Sequence, residues 1–283
     1  MLLLLAAVPF SACRSLLTRL DRQETPLPQE VEEPRPVVVH MATCWAGLPL
    51  AEGLVAAYLT QDPPVSFDII PCNSSLAENL VAAGQADLAI VVQAPAAETA
   101  GQSEGVASQG PAGRVVAMDA IGIIVHTDSA LADLTMEELA DLFAGYHLDW
   151  QELDTGYGRP EIVTREEGSA LRTIFEQTVM GERSISSAAI LMPHERGMVE
   201  YVAEHQNAIG YVSRVWADDS VKLVPIEGSA PAASEIEGGR YPLSYCLAMV
   251  ISADAPSEAS LLVSFAMSDA EHGIIEEHYL LPR

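Results

Sequence analysis

VVVHMATCWAGLPLAEGLVAAYLTQDPPVSFDIIPCNSSLAENLVAAGQADLAIVV, residues 37–92, alternates short apolar runs with helical stretches. The runs VVVHMA (37–42), VSFDII (65–70) and DLAIVV (87–92) are rich in β-branched residues and read as buried strands. After the first, a polar turn ATCWAG leads into a helix over 49–60, with Pro49 in the first turn, where its missing N–H costs nothing. After the second, a PCNSS turn opens the helix SLAENLVAAG, which Gly84 can close as a C-terminal cap. This alternation is the βαβ signature of a mainly parallel sheet with flanking helices, so the fold class is α/β. Both turns then sit at the carboxyl ends of strands.

The pattern continues after a Gly/Ala/Ser-rich surface excursion over 93–113. RVVAM (114–118) and AIGIIV (120–125) resume strand character, and Thr135-Met136-Glu137-Glu138 forms a capping box that opens a helix ending at Gly145. A strand EIVT (161–164), helices over 168–180 and 195–205, and strands AIGYV (208–212) and VKLVPI (221–226) follow. The tail holds one long strand, LSYCLAMVIS (243–252), and helices over 257–268 and 269–280. No fixed-period repeat is present.

At 283 residues the chain has room for about two domains, and its 49% apolar content is ordinary for a packed protein. Forty acidic residues face 14 basic ones, with Lys222 the sole lysine, giving a net charge of -26. Such a chain has no basic surface to gather phosphate backbones, so nucleic acid is excluded as a partner. The apolar stretch 1–13 is shorter than the roughly 20 residues that span a bilayer as a helix, so no transmembrane segment is expected. Instead, Leu2 to Phe10 has the form of an export h-region, and Phe10-Ser11-Ala12-Cys13 resembles a bacterial lipobox. That resemblance implies cleavage before Cys13 and a lipid on its thiol; the alternative is a short apolar tail packed on the domain. Residues 14–36, rich in Glu, Arg and Pro without apolar period, read as a solvated tether.

Cys44, Cys72 and Cys246 remain, an odd number that cannot all pair with one another. Cys44 and Cys72 each follow a predicted strand and come together if those strands are neighbours; buried packing thiols are the alternative. No Cys-x-x-Cys or His-x-x-x-His spacing supports a metal site.

The most informative local stretch is TREEGSAL (164–171), which follows a predicted strand and opens a helix. A helix N-terminus presents unpaired N–H groups to an anion. Arg165 adds a planar fork of donors that matches two oxygens of an oxyanion, and Ser169 adds a hydroxyl. Taken alone, an ordinary cap with a surface ion pair explains the stretch equally well.

From Val37 onward the order of segments resembles the phosphate-binding proteins of bacterial ABC importers. The resemblance rests on LTMEELADLFAGYHLDW (134–150), TREEGSALRTIFEQ (164–177), NAIGYV (207–212) and GGRYPLSYCLAMVIS (238–252). It implies a two-lobed type II periplasmic binding fold, with lobe I from 37–120 and 225–283 and lobe II from 121–224. It also implies an extracytoplasmic lipoprotein, periplasmic or anchored to the outer face of the membrane, monomeric and working with an ABC permease. Its ligand would be a small inorganic anion, phosphate first, bound in the cleft between lobes. No catalytic constellation and no cofactor is expected. Matched loop by loop, the resemblance puts Thr43, Cys44, Ser74, Ser75, Arg165, Gly168 and Ser169 at the ligand. Ala170 and Leu171 stand where the family has Gly-Thr. The Asp expected after DLAIVV is absent, and Val92 or Gln93 takes its place, with Gln93 able to donate to or accept from an oxyanion. A buried carboxylate there accepts a proton carried by the ligand and repels fully ionised anions. Its loss is therefore expected to narrow the choice between phosphate and sulfate, molybdate or tungstate.

Two other readings compete. Gly101-Gln102-Ser103-Glu104-Gly105 has the G-x-S-x-G form of a hydrolase elbow but lacks the strand before it and the helix after it. A sensor or interaction lipoprotein on the same scaffold, with a decayed cleft, is the stronger rival.

Overall fold

The computed structural model describes residues 37–93, 113–153, 155–156, 158–268 and 272–282, all within the unit Pro36–Arg283. The lipobox, the tether, the GQSEG pentapeptide and most of the 93–113 excursion lie outside the described residues. The strands are β1 (Val37–Cys44), β2 (Val65–Cys72), β3 (Leu88–Gln93), β4 (Arg114–His126), β5 (Glu161–Arg165), β6 (Ile190–Met192), β7 (Ala208–Ser213), β8 (Val221–Val224) and β9 (Ser244–Ile251). The α-helices are α1 (Leu48–Leu59), α2 (Ser74–Ala82), α3 (Met136–Ala144), α4 (Ala170–Phe175), α5 (Glu195–Glu204), α6 (Ala233–Glu237), α7 (Ser257–Ala266) and α8 (His272–Glu276).

The strands follow the order β2-β1-β3-β9-β4-β7-β5-β6, with β8 also on β4. At one end β1 runs parallel to β2 and β3; at the other, β5 runs parallel to β7 and β6. Between them β9 is antiparallel to both β3 and β4. The first half of β4 pairs with β9, and its second half, from Ile121, pairs with β7 and β8. The α/β class follows, with parallel flanks joined through an antiparallel centre.

The predicted strands 114–118 and 120–125 are a single strand. Asp119 interrupts the apolar run, yet it sits fully buried inside β4 because its carboxylate is satisfied. Ser213 Oγ and Tyr245 Oη donate to one oxygen, and Arg214 Nε donates to the other at 3.1 Å. A buried charge with this many partners is tolerated where a lone one is not. The predicted helix 168–180 begins later, at Ala170, after Gly168 takes a left-handed φ of 86°. Its last turn, Glu176–Met180, widens to π geometry. Strand β6 and helix α6 have no counterpart in the sequence reading, and the described part of the final helix is the short α8.

Side-chain packing supports each flank. Tyr58 of α1 meets Phe67 and Phe265 edge-on, with centroids 5.9 and 5.1 Å away. Under β5 and β7, Phe175 stacks on Tyr211 at 4.4 Å, and Phe143 closes the cluster. Both halves of the Thr135/Glu138 capping box form at the start of α3. Among the described residues no helix is long and apolar enough to cross a membrane.

Candidate functional site

Four strand exits converge on one pocket. Cys44, Trp45 and Ala46 come from the end of β1, Asn73 and Ser74 from the turn between β2 and α2, and Val92 from β3. Arg165, Ser169 and Leu171 come from the end of β5 and the start of α4, and Glu195 is the first residue of α5.

The turns from the two flanks touch directly. Asn73 Oδ1 caps α2 by accepting from the Leu76 N–H at 2.9 Å, and Ser169 Oγ caps α4 by accepting from the Arg172 N–H. The Ala170 N–H donates to Ser74 Oγ at 3.4 Å, and the Ser75 N–H donates to the Gly168 carbonyl at 3.2 Å. Gly168 permits this approach: a Cβ there would come within 3.2 Å of the Asn73 amide, in a φ region that side chains rarely adopt. Trp216 Nε1 donates to the Trp45 carbonyl at 3.0 Å, and the Trp45 ring lies 5.3 Å from that of His194.

Arg165 is held from every side. Its guanidinium donates through Nε to the Met192 carbonyl and Glu166 Oε2, both at 3.1 Å, and through Nη2 to the Pro193 carbonyl at 3.1 Å. Nη1 lies 2.7 Å from Glu195 Oε1. The backbone N–H of Arg165 faces Tyr211 Oη, which in turn pairs with Thr164 Oγ1 at 2.8 Å. His194 Nδ1 accepts from the Gly197 N–H at 2.9 Å and thereby caps α5, fixing Glu195 at its first position.

Burial pushes the Glu195 carboxyl above the ordinary carboxylate range, partly offset by the Arg165 cation. Burial pulls Arg165 the other way, but Glu195 and Glu166 together raise it above its ordinary value, so it stays charged. The Cys44 thiol is pushed up to about 12 by burial and then by Glu195. It therefore stays protonated at neutral pH, a weak donor and not a nucleophile. This is a preorganised cradle of hydroxyls and one cation, suited to holding a small polar group and without a paired nucleophile and base.

A PBP superfamily domain matches residues 30–270. The chain belongs to the PBP superfamily. This PBP domain is 24% identical over 143 residues to the phosphate-binding protein PstS of Bacillus subtilis (strain 168), across 50% of this chain and 47% of that one. It thus spans about half the length of the curated relatives that it matches. Its fold is that of the type II periplasmic binding proteins. A protein from Clostridium perfringens, solved with bound phosphate and assigned as a phosphate ABC transporter substrate-binding protein, superposes with a TM-score of 0.77. That match has 24% identity over 87% of this chain and 100% of the other. An ABC-type phosphate transport receptor from Vibrio cholerae superposes with a TM-score of 0.69, at 22% identity over 86% of this chain and 100% of the other.

Within the PBP domain, Cys44, Ser74, Arg165 and Ser169 line this same pocket. Thr43 is buried behind its wall, with Oγ1 donating to the Cys44 carbonyl at 3.1 Å. Ser75 is exposed and Gly168 contributes backbone geometry. Gln93 does not face the pocket. Successive residues of a strand point to opposite sides, so Val92 lines the cavity while Gln93 lies against Gly113 on the other face. Cys44 and Cys72 are direct register partners of β1 and β2, and both thiols are buried and free. The sequence reading missed Asn73 and Glu195. Asn73 was recognisable as a helix cap. An acidic residue at a helix start is the usual partner of the helix dipole, so nothing local marked Glu195 as a pocket residue.

Proposed function

We propose that this PBP-superfamily chain is the substrate-binding component of an ABC importer and captures a small tetrahedral oxyanion, phosphate first. The observation that carries the reading is the convergence of Arg165, Ser74 and Ser169 on one pocket from turns on opposite flanks of the sheet. Support also comes from the relatives, whose names are those of phosphate-binding and phosphate-transport proteins. In this reading residues 37–120 and 225–283 form one lobe and 121–224 the other, with the chain crossing within β4 and again after β8. The Ser74 to Ala170 and Ser75 to Gly168 contacts are then closed-cleft contacts, which an entering ligand replaces with its own oxygens. Hydroxyls, N–H groups at helix starts and a guanidinium are the donors such a ligand requires. The chain works outside the cytoplasm as a monomer, tethered through a lipid on Cys13 and delivering to an ABC permease.

One observation favours a second reading. The Arg165 guanidinium is already engaged by Glu166 and Glu195, which fits a sensor or interaction protein whose cleft no longer takes an anion. A thermal-shift panel of phosphate, sulfate, molybdate, tungstate and citrate separates the two. A ligand at 100 times its Kd adds about 2.7 kcal/mol to native stability. A clear rise in Tm with one of the inorganic anions supports the transport reading, and a flat panel supports the second.

A further inference from the structure

A second cavity, of about 200 Å³, opens at the end of β5 away from Arg165. Its walls come from Glu161 and Ile162, which open that strand, from Ile190, which opens β6, and from the loops after α3 and before β6. Along β5, at ~3.3 Å per residue, roughly 13 Å separates Glu161 from Arg165 in the oxyanion pocket. The cavity is built by specific contacts. The Ser186 N–H donates to the Phe143 carbonyl at 2.8 Å and ties the loop before β6 to the end of α3. Gly145, with a left-handed φ of 78°, turns the chain from α3 towards His147.

Three polar groups enter this space unsatisfied. His147 Nδ1 lies 3.1 Å from Glu152 Oε2, and a carboxylate only accepts, so Nδ1 carries the proton and Nε2 of the neutral ring keeps a bare lone pair. His147 is part of the cavity wall and Glu152 is not, so Nε2 is the atom that the ring brings to the space. That nitrogen is enclosed and has no hydrogen-bond partner among the described residues. Buried polar atoms are nearly always satisfied, so it calls for a donor. Glu161 supplies a second acceptor: Tyr201 Oη donates to its Oε2 at 2.9 Å, and its other oxygen has no partner among the described residues. Arg159 supplies the donors, being exposed and making no ion pair or side-chain hydrogen bond with any described residue. Pro160 biases Arg159 towards extended backbone, so the Cα atoms of Arg159 and Glu161 stand about 6–7 Å apart along one side of the cavity.

The set is one cation, one carboxylate and one neutral acceptor, beside apolar wall from Pro160, Ile162 and Ile190. A simple anion would satisfy Arg159 and leave the carboxylate and the imidazole without donors. A simple cation would do the reverse. A zwitterion satisfies all three, because its carboxylate takes the guanidinium fork and its ammonium has three N–H groups to give to Glu161 and His147 Nε2. The volume lies below the roughly 300–1,000 Å³ of sites for drug-sized ligands, which restricts the occupant to a small metabolite. We infer that this cavity is a second binding site, for a small aliphatic α-amino acid, with the aliphatic side chain on the apolar wall. It is separate from the oxyanion pocket and does not depend on the function proposed above.

Calorimetry with leucine at pH 7, on the wild type, Arg159→Ala and Ala188→Phe, tests this. Isovalerate and isopentylamine, each lacking one of the two charged groups, serve as comparison probes. The wild type is expected to show one saturable site for leucine with a Kd of about 1 mM or tighter, and neither comparison probe is expected to saturate below about 10 mM. Arg159→Ala removes a charge-assisted contact and should weaken leucine at least about tenfold. Ala188→Phe puts a ring into the same cavity and should weaken it at least as much. Both positions are exposed, so both variants should melt as the wild type does. An excess of phosphate should leave the leucine Kd unchanged. No saturable heat with leucine up to about 10 mM overturns the inference. Isovalerate binding as tightly as leucine, an unchanged leucine Kd in either variant, or competition between leucine and phosphate overturns it too.

Discussion

Arg165 Nη1 and Glu195 Oε1 lie 2.7 Å apart, and both side chains are almost wholly withdrawn from water. Breaking such a pair by removing one member typically costs about 3–5 kcal/mol, because the remaining charge stays buried without compensation. Arg165→Ala is therefore expected to lose about that much stability in urea denaturation and to lose anion binding with it. The double variant Arg165→Ala/Glu195→Ala should recover part of the stability, since no charge is stranded. Arg114→Ala serves as the control. Arg114 is an exposed residue of β4 outside the pocket, and its loss should change stability by no more than about 0.5 kcal/mol.

The capping box on α3 provides a pH-dependent contrast. The Thr135 backbone N–H donates to Glu138 Oε2, and with the Thr135 hydroxyl it holds the Glu138 carboxyl below its ordinary value of 4.5. A carboxyl lowered in the folded state contributes stability above its unfolded value and loses it as pH falls through the folded one. Thr135→Ala should cost about 1 kcal/mol at pH 7, with a smaller difference from wild type at about pH 3. Thermal melts of both proteins at the two pH values measure this.

Much of this architecture was legible locally. The two βα units and the third strand of residues 37–93 follow from β-branched runs, Pro49 and the caps, and the Thr135/Glu138 box forms as its spacing requires. What was not legible depends on partners distant in sequence. Asp119 looks like a strand break until Ser213, Arg214 and Tyr245 are placed around it. Of the two residues offered after DLAIVV, Val92 lines the pocket and Gln93, one residue on, lies on the opposite face of the strand. Glu195 became a site residue through its distance to Arg165, and no spacing within α5 encodes that distance.

Gly47 links the fold to the pocket. A Cβ on it would stand 2.5 Å from Ile90 Cγ2 and 3.3 Å from Cys44 Sγ. Ile90 is fully buried in β3 and has no room to yield. Gly47→Ala should cost about 1–3 kcal/mol through overpacking. It should also weaken anion binding by displacing the Cys44 end of β1. A melt read together with a phosphate titration checks both effects.

The thiols supply an independent probe of burial. Cys44 is pushed up to about 12, while burial also raises Cys72 and Cys246. All three are free and buried. Alkylation at pH 7.5 followed by mass spectrometry should leave them largely unmodified in the native protein and modify them on addition of urea, because the thiolate is the reacting form. Rapid native alkylation of Cys44 would show the pocket wall to be open.

The claim that Arg165, Ser74 and Ser169 form an oxyanion site is tested most directly by titrating the wild type with phosphate at pH 7 in a calorimeter. One saturable site, with a Kd in the micromolar range or tighter, is the expected result. No saturable heat up to about 1 mM phosphate, a level that corresponds to about -4 kcal/mol of binding free energy, would contradict it.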